Sequence, residues 1–255
     1  MTRRVTMTAL PGIPLVSPGD DLAGLILHSV AAAGETLASG DVLVVAQKIV
    51  SKAEDRYVDL RTVTPGPHAA ALAAQTVKDP RMVQVILDES SEVVRFRPGV
   101  IVVAHRLGFV SANAGIDHSN IEQIGTDDLV LLLPRDPDGS ARRLSDELAE
   151  RTGARVAVVI NDSHGRAWRN GTVGVAIGSF GIEPLTDLRG HPDLFGRALQ
   201  VTTVGQADEI AAAGSLVMGQ AAEATPVVLV RGLEFSASDQ SAAALVRPKE
   251  MDLFR

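Results

Sequence analysis

Several residue types and patterns that indicate particular functions are scarce or missing from this 255-residue sequence. It contains no cysteine, which excludes disulfide bonds, thiolate zinc sites and catalysis by a thiol. Aromatic residues make up only 3%, so we do not expect a stacking platform for single-stranded nucleic acid. Neither glycine-rich phosphate-binding motif, G-x-x-x-x-G-K-[ST] or G-x-G-x-x-G, occurs. If a nucleotide binds, it is held by a different arrangement of residues.

Long apolar runs are also missing. None reaches the length of a transmembrane helix, and Met1 to Arg4 is not followed by the apolar core of a signal peptide. We therefore expect a cytoplasmic protein with no membrane partner. The formal charge of −7 argues against nucleic acid as a general partner, although an anionic small molecule needs only a local basic pocket.

The remaining composition is that of a globular protein, 45% hydrophobic and 22% charged, and we assign residues 1–255 to one domain with room for two lobes. Short apolar runs at 41–45, 155–160, 173–177 and 227–230 indicate buried strands, and alanine-rich stretches at 67–78 and 206–218 indicate helices. Because strands and helices are mixed irregularly, the sequence favours an α+β fold with mixed sheets over a doubly wound sheet.

The most informative stretch runs from Val158 to Gly171. An apolar run ends at Asp162 and Ser163, and the chain then turns through Gly165 into a basic loop, which predicts a strand that delivers polar groups to a crevice. A carboxylate beside a hydroxyl offers hard oxygen ligands for Mg²⁺ or Mn²⁺. A solvated turn with an aspartate cap accounts for the same residues equally well.

Three other polar segments are candidate ligand sites. The lysines and the glutamine of residues 47–56 follow a predicted strand and could meet phosphates, with a solvated face as the alternative. In residues 115–120, Asp117 could bind a metal and Asn120 a nucleotide, whereas an Asx-turn needs neither ligand. Residues 11–14 form either a rigid turn whose backbone can approach a ligand or a plain connector.

Taken together and in order, these segments resemble the coenzyme F-420:gamma-glutamyl ligase family. The similarity runs from residue 10 to about residue 232, which is nearly the whole chain. The ordered set is specific to that family. The matching pieces are Leu10-Pro11-Gly12-Ile13-Pro14, Gln47-Lys48-Ile49-Val50-Ser51-Lys52-Ala53-Glu54, Gly115-Ile116-Asp117-His118-Ser119-Asn120, Leu133-Pro134-Arg135-Asp136-Pro137-Asp138, Asp162-Ser163-His164-Gly165-Arg166-Ala167-Trp168-Arg169-Asn170-Gly171, Asp187-Leu188-Arg189-Gly190, Ala207-Asp208-Glu209 and Met218-Gly219-Gln220.

The resemblance implies a GTP-dependent ligase that adds L-glutamate to the deazaflavin precursor coenzyme F-420-0 through an acyl phosphate. The same enzyme would then extend the tail by γ-linkages. The resemblance also implies two divalent cations, Mg²⁺ or Mn²⁺, a requirement for K⁺, and a family-specific fold that forms an intertwined homodimer. Many bacterial relatives carry a C-terminal flavin-reductase-like domain, for which this chain is too short, so we expect that activity to be absent.

Site residues follow from the resemblance by position. Asp117 and Asp162 would hold one metal ion, and Ser163 and Gln220 the other. Asp162 is the best candidate for a catalytic role, since metal assistance needs no protein nucleophile. Ser163 stands where the family often has Thr, which keeps the hydroxyl, and Ala167 stands where it often has Pro, which loosens the loop. The residues that would contact GTP are Pro11, Gly12, Ile13, Pro14, Gln47, Lys48, Lys52, Asn120, Met218, Gly219, Gln220, Ala221, Ala222, Glu223, Ala224 and Thr225.

Two other functions fit the same loops. One is a nucleotide or anionic-cofactor binding protein without ligase activity, and the other is a related amide ligase acting on a different carboxylate cofactor. Release of GDP with a mass gain of one glutamyl unit on F-420-0 separates the first from a ligase, and substrate competition exposes the second.

Overall fold

The computed structural model describes residues 3–121 and 128–253 and has the expected α+β fold with mixed sheets. Within those ranges no helix has both the length and the apolar character that crossing a membrane requires. The α-helices are α1 (Leu22–Ala32), α2 (Gln47–Ala53), α3 (Pro67–Thr76), α4 (Pro80–Asp88), α5 (Pro137–Thr152) and α6 (Gln206–Met218). The strands are β1 (Thr6–Ala9), β2 (Val42–Ala46), β3 (Tyr57–Asp59), β4 (Ser90–Arg97), β5 (Val100–His105), β6 (Val110–Ala112), β7 (Leu129–Leu131), β8 (Ala157–Arg166), β9 (Arg169–Phe180), β10 (Thr186–Asp187), β11 (Thr203–Val204) and β12 (Val227–Arg231).

The central sheet has five strands in the order β1-β12-β2-β8-β9. Strand β12 is antiparallel to its neighbours β1 and β2, whereas β2 and β8 are parallel and β9 returns antiparallel to β8. Strands β1, β2 and β8 therefore run in one direction. Their carboxyl ends lie together with the beginnings of β9 and β12, and we call this end of the sheet the carboxyl edge.

Helices cover both faces of the central sheet. Val158 and Ile160 of β8 face one apolar cluster, which includes residues of α1 and α5, whereas Ala157 and Val159 face a second cluster formed with α6. This alternation is the two-residue period of a strand whose two faces are both covered. All four side chains are buried. Full burial of a Val or Ile side chain contributes about 1.5–3 kcal/mol, so the sheet is a rigid support for the residues at its end.

A second sheet, β4-β5-β6, packs against α3 and α4 through a separate apolar cluster that includes Leu72, Ile86 and Ile101. The short pair β3-β7 lies beside it, and its Val130 packs with Val85 of α4. This part of the chain carries Asp117, whose backbone N–H and C=O both bond to Leu131 at 2.9 Å. Strand β7 of the β3-β7 pair therefore positions one of the predicted metal ligands.

The predicted end of the strand at Asp162 is wrong. Strand β8 does not stop there but continues to Arg166, and it forms a hairpin with β9 in which Asp162 pairs with Val175 and Ser163 with Gly174. The antiparallel neighbour satisfies the backbone of this polar segment, so a loop is not required.

Gly174 lies where α6 packs closely against β9. A Cβ atom there would come within 2.1 Å of Ser215 Oγ and 2.5 Å of the Ala211 carbonyl oxygen, so a methyl group does not fit unless the helix moves. We expect Gly174→Ala to lower the free energy of unfolding by about 1–3 kcal/mol in urea titrations. Gly165→Ala is the matched control in the same hairpin, because a Cβ there meets no atom within 4 Å. Equal losses in the two variants would contradict the close-packing explanation.

Candidate active site

The central sheet gathers several of the predicted site segments at its carboxyl edge. Residues 11–14 follow β1, and α2 begins at Gln47 directly after β2. Ala46, the last residue of β2, pairs with Asn161, so Asp162 on β8 lies beside the start of α2. The segment that leads into β12 reaches the same edge, since Pro226 accepts a hydrogen bond of 2.8 Å from the Ala46 N–H.

Asp117 is the residue on which the contacts at this edge converge. Its Oδ2 accepts a hydrogen bond of 2.5 Å from Gln47 Nε2, and its Oδ1 lies 3.1 Å from Lys48 Nζ. Ser51 orients Gln47 by donating to its Oε1 at 2.8 Å. Gln47 and Ser51 are buried, and Lys48 and Asp117 each expose only 23% of their side chains. Helix α2 therefore presents Asp117 with one amide and one ammonium donor in a sheltered setting.

The carboxyl group of Asp117 is sheltered and interacts electrostatically with a second carboxylate, that of Asp162. Burial raises the pKa of the Asp117 carboxyl group above its ordinary value, the nearby ammonium of Lys48 opposes that rise, and the negative charge of Asp162 adds to it. Two carboxylates that repel each other across a partly buried space are a favourable setting for a cation. Asp117 and Asp162, to which the family resemblance assigns the first metal ion, therefore lie within electrostatic range of each other.

Two lysines of α2 connect this centre to the predicted GTP segments. Lys48 Nζ donates to the Ser119 carbonyl oxygen at 3.2 Å, and Lys52 Nζ donates to the Asn120 carbonyl oxygen at 2.8 Å. Asn120 has a φ of +57° and donates from Nδ2 to the Ala221 carbonyl oxygen at 3.3 Å. The segment after α6 is thereby linked to Asn120 and, through it, to α2.

The second predicted metal pair lies on the opposite face of β8. Because side chains alternate along a strand, Ser163 points to the α6 side while Asp162 points to the α1 and α5 side. Ser163 Oγ donates a hydrogen bond of 2.5 Å to Gln220 Oε1. The segment that carries Gln220 is folded back on itself by a bond of 2.8 Å from Thr225 Oγ1 to the Met218 carbonyl oxygen.

Two polar residues near the site received no role from the sequence. His164 Nε2 lies 2.9 Å from Asp162 Oδ2, and its ring rests against Phe109 with centroids 5.1 Å apart. Ser119 supplies the carbonyl oxygen that holds Lys48. A signal for His164 existed, because residues two apart on a strand share a face, but it required a strand where we predicted a loop.

The donor atoms suit Mg²⁺ or Mn²⁺, which prefer oxygen ligands. Asp117 and Asp162 offer carboxylate oxygens, Ser163 a hydroxyl and Gln220 an amide oxygen. Across residues 3–121 and 128–253, no group of three or more His, Cys, Asp or Glu side chains is arranged to hold a metal ion. A cation here would therefore depend on pairs of protein oxygens completed by ligand or water oxygens, which is the usual manner of Mg²⁺ binding beside phosphates.

An enzyme that binds phosphorylated substrates typically gathers carboxylates, lysines and neutral oxygen donors in one place, as this edge of the sheet does. A family model described as F420-0:Gamma-glutamyl ligase matches residues 12–232, which is most of the chain. The chain therefore belongs to this family and is a ligase by class. The resemblance identified from the sequence motifs is confirmed.

Three relatives illustrate the extent of the similarity, and each is named coenzyme F420:L-glutamate ligase. The protein from Methanothermobacter thermautotrophicus is 47% identical over 253 residues, which cover 98% of this chain and 99% of the relative. That from Methanopyrus kandleri is 46% identical over 244 residues, covering 94% and 93%. That from Archaeoglobus fulgidus is 43% identical over 252 residues, covering 99% and 97%. The similarity therefore extends over whole chains rather than over isolated motifs.

Proposed function

We propose that this protein uses GTP to join L-glutamate to coenzyme F-420-0 and then extends the product by γ-linked glutamates. The observation that carries the proposal is the interacting pair of carboxylates, Asp117 and Asp162, with Lys48 bound to Asp117 at the carboxyl edge of the sheet. Family membership and relatives named coenzyme F420:L-glutamate ligase support the choice of acceptor and amino acid. The resemblance supports GTP as the nucleotide.

The proposed reaction has two steps. A carboxylate oxygen of F-420-0 attacks the γ-phosphorus of GTP, the bond to the β-phosphate oxygen breaks, and GDP leaves an acyl phosphate behind. The amino nitrogen of L-glutamate then attacks the acyl carbon, the carbon–oxygen bond to phosphate breaks, and phosphate and one proton are released. Neither step needs a protein nucleophile, so the absence of cysteine is compatible with it.

The protein's own contribution is positioning and charge. Asp117 and Asp162 would hold one divalent cation, Ser163 and Gln220 a second, and such cations supply charge neutralisation on the phosphates when bound. Lys48 and Lys52 lie at the same place with their ammonium groups held by the backbone of residues 119 and 120. These lysines would meet phosphate oxygens, and the backbone of residues 11–14 and 218–225 would border the nucleotide.

The same proposal includes a requirement for K⁺ and a homodimer, both taken from the family resemblance. Support for a second subunit comes from the segment between β10 and β11. Its Leu194, Phe195 and Val201 expose 99%, 88% and 85% of their surface. Large apolar side chains exposed together on one segment are typical of a surface that another chain covers.

The test is an assay of the purified full chain with GTP, L-glutamate, F-420-0, Mn²⁺ and K⁺. We expect GDP release together with a mass gain of one glutamyl unit on F-420-0, and loss of both when Mn²⁺ is chelated. Omission of K⁺ should lower the rate. GTP binding without GDP release in the full mixture would instead favour a nucleotide-binding protein, and turnover only with another carboxylate would favour a related amide ligase.

A further inference from the structure

A cavity of about 530 Å³ opens beside the proposed reaction centre. Its lining includes His164, Phe109, Ile177, Asp208 and Arg247. His164 lies two residues beyond Asp162 on the same face of β8 and bonds to it at 2.9 Å. The cavity is therefore adjacent to Asp162 through His164. A molecule inside it would lie next to the proposed site of acyl transfer.

The aspartates that line the cavity differ in the number of hydrogen bonds that their carboxylates accept. Asp138 accepts hydrogen bonds from the Ser179 N–H, the Ala242 N–H and the Ser241 hydroxyl. Asp208 accepts a single hydrogen bond within the described part of the chain, from the Ala176 N–H at 2.9 Å. Burial raises the pKa of the Asp208 carboxyl group, and the hydrogen bond from the Ala176 N–H opposes that rise. Asp208 is thus the acidic group best placed to accept a cationic ligand.

The cavity also offers the two other features that a free amino acid needs. Arg247 contributes a guanidinium group, which can bind a carboxylate with two parallel hydrogen bonds. Phe109 and Ile177 contribute apolar surface against which a short aliphatic chain can lie. A pocket of a few hundred cubic ångströms, mostly apolar with a few polar groups, is the usual form of a small-molecule site.

We propose that this cavity binds the amino-acid co-substrate, with Asp208 facing its ammonium group and Arg247 facing a carboxylate. The assignment rests on the proposed function for the identity of that amino acid, L-glutamate. The alternative occupant, the anionic cofactor precursor, fits less well because four of the lining residues are aspartates, Asp136, Asp138, Asp208 and Asp252. The ammonium group of a zwitterionic amino acid is attracted by these negative charges, whereas a polyanion is repelled by them.

The decisive variant is Asp208→Asn in the full chain, because asparagine keeps an acceptor for the Ala176 N–H and removes only the charge. We expect the KM for L-glutamate to rise roughly 10- to 100-fold, the range for loss of a charge-assisted hydrogen bond. The KM values for GTP and F-420-0 should stay within about twofold. The matched control is Glu209→Gln, the next residue on α6, which is exposed and changes the net charge equally.

Binding is measured separately from turnover by saturation-transfer NMR of L-glutamate with the protein and GDP. The wild-type protein and Glu209→Gln should give a signal that Asp208→Asn lacks. If Asp208→Asn does not fold, as judged by circular dichroism, Arg247→Gln provides the same test on an exposed residue. An unchanged KM for L-glutamate, or a raised KM for F-420-0 instead, would overturn the assignment. Failure of the proposed function is a different result, since the wild-type protein would then release no GDP.

Discussion

Asp162→Asn is expected to lower the rate of GTP-driven glutamate addition by on the order of 10²- to 10³-fold. The negative charge of Asp162 adds to the effect of burial in raising the pKa of the Asp117 carboxyl group, so the two acids interact. Asparagine keeps the shape and can still bond to His164, which preserves the local structure. It removes the negative charge that the first divalent cation needs, so we expect the fold to survive and the chemistry to fail.

The measurement is GDP release together with the glutamyl mass gain on F-420-0, at several Mn²⁺ concentrations. The control is Asp146→Asn, an exposed aspartate on α5 that changes the net charge by the same amount. We expect this control to keep full activity. Circular dichroism and the thermal midpoint should match the wild-type protein for both variants. Turnover within about threefold of wild type in Asp162→Asn would remove this residue from the mechanism.

The elements that local sequence determines were predictable. Helix α6 was expected at residues 206–218 and is found at Gln206–Met218, because alanine favours the helix and Gly219 follows it. The buried strands β2 and β12 coincide with apolar runs that are too short for a buried helix and are preceded by residues typical of turns. The extension of β8 over residues 162–166 was not predicted because these residues are polar. Their strand conformation is stabilised by pairing with β9 and not by apolar side chains.

The candidate site was predictable only residue by residue. The sequence indicated that Gln47, Asp117 and Asp162 are polar groups near strands, and the family resemblance assigned them roles. Their meeting depends on the parallel pairing of β2 with β8 and on the pairing of Asp117 with Leu131 of β7, and neither pairing has a local signal. The roles we infer for His164 and Asp208 depend on the same contacts, which explains why composition and spacing did not single them out.

Glu89→Ala is expected to lower the free energy of unfolding by about 3–5 kcal/mol, the usual cost of removing one partner from a buried ion pair. Glu89 and Arg56 expose only 9% and 8% of their side chains, and their charged atoms lie 3.3 Å apart. Arg56 also donates from Nε to the Leu133 carbonyl oxygen at 2.9 Å, so it cannot simply turn to solvent. The guanidinium would remain buried without its carboxylate between α2 and the second sheet.

Urea unfolding at pH 7 measures this loss, with Asp88→Ala, the exposed neighbour on α4, as the control. The double variant Arg56→Met with Glu89→Leu should recover much of the stability, because it removes both charges.

Burial alone would raise the pKa of Glu89, but His105, Arg106 and Arg56 outweigh it and hold the pKa below its ordinary value. The stabilisation by Glu89 is therefore complete above the unfolded pKa of about 4.3 and disappears as pH falls through the lower folded value. A difference between wild type and Glu89→Ala that stays constant through this acid range would contradict an electrostatic origin.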